Sequence, residues 1–261
     1  MAVKNTKKFT DIETLVKKND ICYEDRWHPI AISNFETVLS YGLLSEMDKN
    51  LRKNIAYSLQ YLQYIQLQLE ELTIHSVITT MLYKSFIITG VSIIEGLFYH
   101  LLKTNNLWKQ REWELERIIP SNSFNFYGED KKIETYLYRK VMKVDDEMNL
   151  DSMIKKIESK NLLDISHKAF PYIKKLKRLR NKVHLQIKEH PDDTDWWSYS
   201  RIDYLWMKYI LYIILTNSKF QVRSDQKDIY NFISCNNHDI EILRKDVTKK
   251  AEKNESINST E

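Results

Sequence analysis

Ser85-Phe86-Ile87-Ile88-Thr89-Gly90-Val91-Ser92-Ile93-Ile94-Glu95-Gly96-Leu97-Phe98 is the run that decides how this chain folds. Ile88, Val91, Ile94, Phe98 and then Leu102 recur at the three- and four-residue spacing of a buried helix face. The pattern predicts the strongest helix of the chain over 76–103. Gly90 and Gly96 leave room for a neighbouring helix to approach closely. Two charges interrupt the apolar stretch, Lys84 and Glu95. A membrane span needs ~20 largely apolar residues without such breaks, so the run reads as a buried helix and the protein as cytoplasmic, without a membrane partner. Glu95 falls between Val91 and Phe98, where a carboxylate is costly unless paired. The expected partner is a basic group of an adjacent helix, Arg180, Arg178 or His184. Removing one side of a buried pair typically costs ~3–5 kcal/mol.

Outward from this helix, composition narrows the class. Of 261 residues, 43% are hydrophobic, enough for a sizeable core. Only 4 Gly and 4 Pro are present, too few for an architecture of many strands and tight turns. Cys22 and Cys235 are far apart in sequence and suggest no disulfide framework. The start, Met1-Ala2-Val3-Lys4-Asn5, is polar and does not read as a signal peptide.

Upstream, Asp25-Arg26-Trp27-His28-Pro29 reads as a loop. Leu51, Ile55, Ser58, Leu62, Ile65, Leu69 and Leu72 follow a heptad seam. Either one long helix packs inside the domain, or two copies form a coiled coil. Tyr57, Tyr61 and Tyr64 form a second stripe, read as a packing shoulder. Downstream, the helical period fades over 104–147. Arg117-Ile118-Ile119-Pro120-Ser121-Asn122-Ser123 reads as a loop, and Ile133-Glu134-Thr135-Tyr136-Leu137-Tyr138 as a short strand, so an irregular insertion or small β-hairpin is expected. Helices resume at Leu150-Asp151-Ser152-Met153-Ile154 and at Pro171, the latter with Tyr172, Leu176, Leu179, Val183 and Ile187 as its stripe over 172–188. Asp195 or Ser198 can cap the next helix, over 199–215.

From Asp164 to Glu189 there is no acidic residue between, yet the stretch holds eight Lys or Arg: Lys168, Lys174, Lys175, Lys177, Arg178, Arg180, Lys182 and Lys188. This is a solvated helix face or, given the 40 basic and 36 acidic residues overall, one turned to a polyanion. Lys174, Lys175, Lys177, Lys182 and Lys188 are the candidate phosphate contacts. Arg180 and His184 are four apart and would share a helix face, about 6 Å apart along the axis. An Arg fork can hold a phosphate while a His moves protons, and Asn181 could orient either group. No Cys or His spacing suggests a metal, and no glycine-rich phosphate loop occurs, so neither metal nor cofactor is expected.

The order of these elements resembles the HEPN superfamily over about 75–217. The resemblance rests on Ser92-Ile93-Ile94-Glu95-Gly96-Leu97, a variable insertion, the Leu150-Asp151-Ser152-Met153-Ile154 helix, Arg178-Leu179-Arg180-Asn181-Lys182-Val183-His184-Leu185, and a long apolar helix after it. The family's mark is an Arg and a His separated by four to six residues, often with a polar residue after the Arg. Arg178 and His184 meet the spacing. Arg180-Asn181 meets the Arg-polar part, with only three residues before His184. The resemblance implies a mainly α fold, a HEPN-like helical bundle, with an N-terminal helical extension (1–74), a core (75–217) carrying the insertion at 104–147, C-terminal helices (218–250) and a disordered tail (251–261). It also implies a metal-independent endoribonuclease that works as a homodimer, with His184, Arg180, Arg178, Asn181 and Glu95 in a composite site. RNA would be the substrate, cut by its own 2′-hydroxyl, in a toxin–antitoxin or antiphage setting with a cognate antitoxin or defence subunit as partner. The alternative is a related module that binds RNA, a nucleotide or a protein without cutting.

Overall fold

The structure, a computed structural model, describes residues 29–183 and 194–258. It is 63% helix and 14% strand, so the mainly α class holds and strand is confined to a small insertion. The Asp25–His28 part of the N-terminal loop lies outside the described residues, as do His184 and Lys188.

Helix α1 (Ile32–Val38) leads to α2 (Lys49–Glu71), whose first turn is capped by the Asp48 carboxylate, which accepts from the Asn50 and Leu51 amides. Ile55, Leu59, Leu62 and Ile65 of α2 are buried against the same core as the next helix, so the heptad seam is spent inside the protomer. The same packing joins the N-terminal segment to the rest, since one apolar cluster runs from Phe35 to Leu243. Tyr57, Tyr61 and Tyr64 do not form a packing shoulder. Their side chains stand exposed on the opposite face, which a 3.6-residue period allows once the inner stripe is filled.

Helix α3 (Ser76–Thr104) is the hub. By length and composition it could cross a membrane, but here α2, α4, α5, α6 and α7 pack around it. Val91, Ile94, Phe98 and Leu102 are buried, as their spacing predicts, and Ile88 is half-buried. α3 ends in a left-handed residue, Asn106, with the Leu107 amide donating to the Leu102 carbonyl and that of Asn106 to Lys103. α4 (Leu150–Ser159) ends the same way at Asn161. Asparagine takes the place that glycine usually fills at these two helix ends.

The insertion is longer and more regular than its sequence suggests. β1 (Gln110–Pro120) pairs antiparallel with β4 (Glu134–Asp145), and β2 (Phe124–Phe126) with β3 (Glu129–Lys131) at the tip. Arg117 to Pro120 therefore belongs to a strand, not a loop. Pro120 is tolerated because it ends a strand whose outer edge is unpaired. Among the described residues no helix packs along this two-stranded arm.

α5 (Phe170–Asn181) starts with Pro171 in its first turn and buries Phe170, Ile173, Leu176 and Leu179. It stops at Asn181, short of the 172–188 expected. Val183 is 41% exposed and is no part of the buried stripe. A short turn, α6 (Asp195–Ser198), precedes α7 (Arg201–Leu215), which Ser200 caps rather than Asp195 or Ser198. α8 (Asn237–Asn258) runs on through most of the polar tail expected to be disordered. Its Lys, Glu and Ala residues are good helix formers despite their polarity.

Gly42 packs its backbone against that of Lys219 and Phe220. It has φ +52°, and a Cβ there would sit 2.5 Å from the Lys219 carbonyl oxygen. Gly42→Ala is expected to cost about 2–3 kcal/mol, as the residue would be both strained and blocked by backbone. Gly128→Ala also has positive φ but meets nothing within 4 Å, and should cost less. Urea midpoints of the two variants check the difference.

Candidate functional site

The two charges of α3 organise what surrounds them. Lys84 and Glu95 are eleven residues apart, three helical turns, and so project from the same side about 16 Å apart. Glu95 accepts a hydrogen bond from Arg180 Nη2 at 2.8 Å, joining α3 to the last turn of α5. The side chains of Arg180 and Glu95 keep 35% and 30% of their surface, so the pair lies at the shoulder of the bundle and not within it. Its loss should therefore cost nearer 1 kcal/mol than the figure for a buried pair. Arg178 points elsewhere. It is exposed and makes no ion pair or hydrogen bond among the described residues.

Lys84 is 7% exposed and donates to Asp195 Oδ2 at 2.8 Å. Its ammonium also stands 5.6 Å from the centre of the Tyr199 ring. The Tyr199 hydroxyl donates at 2.9 Å to the Leu179 carbonyl, one of the last carbonyls of α5. Burial, helped by the Asp195 carboxylate, pushes the Tyr199 hydroxyl up to about 12. Lys84, Asp195 and Tyr199 thus pin the end of α5 from the helix and turn that lie on the other side of it. Sequence reading named Lys84 only as an interruption and Asp195 only as a cap. The usable signal was that a lysine inside the most apolar helix must find an anion.

Part of the basic stretch is compensated in space by acids from other helices. Lys174 reaches Glu158 of α4 at 3.1 Å, Lys177 pairs with Asp151 at the start of α4, and Lys175 pairs with the buried Asp203 of α7. Lys177 holds the Asp151 carboxyl below its ordinary range. Four of the eight basic side chains of the acid-free run, Lys174, Lys175, Lys177 and Arg180, are thus paired with acids among the described residues. Asn181 is exposed at the helix end, and Lys182 follows it half-buried in a turn.

Lys182 donates its amide to Leu179 and Val183 donates to Arg180, a tightening that ends the helix. This changes the geometry expected of Arg180 and His184. The four-residue spacing puts two side chains on one face only while the helix continues, and α5 does not continue past Asn181. His184 itself lies outside the described residues. Of the described residues that flank it, Arg180 is paired with Glu95 and Asp195 with Lys84. No group of three metal-ligating side chains occurs among the described residues.

No family model, curated protein or solved structure matches this chain.

Tyr199→Phe removes the donor to Leu179 and is expected to destabilise by about 1 kcal/mol, because Lys182 still supplies one hydrogen bond to that carbonyl. The pH dependence has a definite sign. Unfolded chains ionise the phenol near its ordinary value of 10, and the folded protein only near 12. The Tyr199 contribution is thus present below pH 10 and lost as pH rises toward 12. Stability of the wild type should fall more steeply over that window than that of Tyr199→Phe, measured by urea unfolding at several pH values.

Proposed function

We propose that this protein is a metal-independent endoribonuclease of the HEPN type, acting as a cytoplasmic homodimer in a bacterial toxin–antitoxin or antiphage system. The observation that carries this reading is the Glu95–Arg180 pair. It fixes a guanidinium at the helix end, directly before Asn181 and four positions before His184. Only one Arg180 nitrogen is engaged by Glu95, which leaves the rest of the fork for a phosphate.

In the proposed reaction the ribose 2′-hydroxyl of the RNA attacks the adjacent phosphorus and the bond to the 5′-oxygen breaks. The products are a 2′,3′-cyclic phosphate and a free 5′-hydroxyl. His184 moves the proton, Arg180 stabilises charge on the phosphorane, and Asn181 orients one or the other. Arg178 and Lys182, with Lys188 beyond them, meet the RNA backbone. Lys174, Lys175 and Lys177 would have to exchange their carboxylate partners for phosphates to take part.

A second copy fits the open side of α3. Ile78, Met81, Ile88, Ser92 and Tyr99 keep heptad spacing along it and stay partly or fully exposed, with Glu95 among them. A two-fold contact there would bring two Glu95–Arg180 pairs to one cleft.

One observation favours a second reading, a HEPN-like module that binds RNA, a nucleotide or a protein partner without cutting. α5 ends before His184, so no helix holds the Arg180–His184 spacing, and three of the lysines are already neutralised.

The test is incubation of purified protein with single-stranded RNA in excess EDTA. Cleavage to cyclic-phosphate ends is expected, with DNA of the same sequence uncut. His184→Ala should lower the rate about 10²–10⁴-fold with RNA binding largely kept. Arg180→Ala should lower it more than Arg178→Ala. Binding without cleavage by the wild type would establish the second reading, and full activity in His184→Ala would remove the site.

A further inference from the structure

The arm formed by β1 and β4 has two unlike faces. The register pairs Trp113 with Lys140, Leu115 with Tyr138, Ile118 with Tyr136 and Pro120 with Glu134. Directly opposed residues share a face, and on β4 these four partners alternate, so all four rows lie on one side. A bulge between Leu115 and Arg117 keeps Ile118 on that side. The other side carries the Glu114–Arg139 ion pair, Arg117 and Thr135, beside Ile119 and Leu137.

The first face is uncovered. Trp113 is 56% exposed, and Leu115, Ile118, Tyr136 and Tyr138 lie between 44% and 51%. A two-stranded ribbon is at best marginally stable alone in water and needs further strands or a helix against its apolar face. Among the described residues no helix supplies that cover.

We infer that the occupant is the same face of a second copy, with the strands antiparallel. A two-fold axis midway along the four rows sets each row of one arm over its counterpart in the other. Trp113 then stacks on Pro120, Leu115 on Ile118 and Tyr138 on Tyr136. At both ends Lys140 meets Glu134. Lys140 makes no ion pair among the described residues, and Glu134, ionised and held by Lys132 and Tyr136, has lone pairs to spare. Charge therefore complements itself across the axis. The segment 110–145 as a whole carries seven basic and seven acidic residues, which suits a copy of itself and not a polyanion. Stacking would make a four-stranded sandwich, above the limit at which ribbons hold by themselves. The apolar side chains offer roughly 500 Å² per copy, so the pair buries about 1,000 Å², the lower bound for a specific interface. This association does not depend on whether the protein cuts RNA.

Sedimentation velocity of the full chain over a range of concentrations tests this. The wild type should show an association step that Leu115→Glu removes, dimer to monomer, or tetramer to dimer where the α3 face also associates. Tyr127→Glu, at the tip and 90% exposed, should leave that step intact. Lys140→Glu and Glu134→Lys should each weaken the step about tenfold, and the double reversal should restore it. The two residues are about 20 Å apart on one strand, so restoration can only come from contact between copies. The absence of any step sensitive to Leu115→Glu, or single reversals that the double does not rescue, would overturn the inference.

Discussion

An apolar helix that carries ionic groups must bring their counterions with it, and α3 carries two. Lys84 needs an anion and finds Asp195; Glu95 needs a cation and finds Arg180. Because both project from one side of α3, the two pairings draw the end of α5 and the start of the α6–α7 segment onto the same flank. The apolar face of α3 meanwhile fixes α2, α4 and α7. The bundle is thus assembled by burial, while the place where a candidate site forms is set by charge. The surroundings of Lys84, with its 7% exposure and its contact with the Tyr199 ring, are the tighter of the two. The pair at Glu95 is looser and open to solvent, which is what a group that must meet a ligand requires.

Periodicity made α2, α3 and α7 legible in the sequence, since their buried faces are long and regular. It failed on β1 for a definite reason. The bulge at Glu116 puts Leu115 and Ile118 three apart on one face, which breaks the period of two that marks a strand. It overran on α5 because Val183 and Ile187 continue the stripe on paper. The chain leaves the helix at Lys182, where Tyr199, distant in sequence, helps satisfy the last carbonyls. Composition misled at α8, whose Lys- and Glu-rich end looks unfoldable but is helical.

The candidate site was legible in part for the same reasons. A lone carboxylate in an apolar run announces a partner, and Arg180 answers for Glu95. What no local reading could supply was the neutralisation of Lys174, Lys175 and Lys177, because Glu158, Asp151 and Asp203 belong to other helices. Local charge density in a sequence is thus a poor guide to surface potential in a bundle, where each helix face sees the acids of its neighbours. The reading as a ribonuclease therefore rests on one arginine, one asparagine and one histidine more than on a basic surface.

The two ends of the arm meet at its base, where the Asp146 amide donates to the Lys109 carbonyl at 2.9 Å. The whole segment between them leaves and re-enters the helical body at nearly one point. The linker from α3 to α4 thus spans the same gap whether it contains a long ribbon or a two-residue turn. Helical body and arm can then change at independent rates over evolutionary time, the body constrained by packing and the arm by whatever it touches. Descendants of one ancestral bundle could differ in the length, pattern or presence of this ribbon while keeping every helix contact.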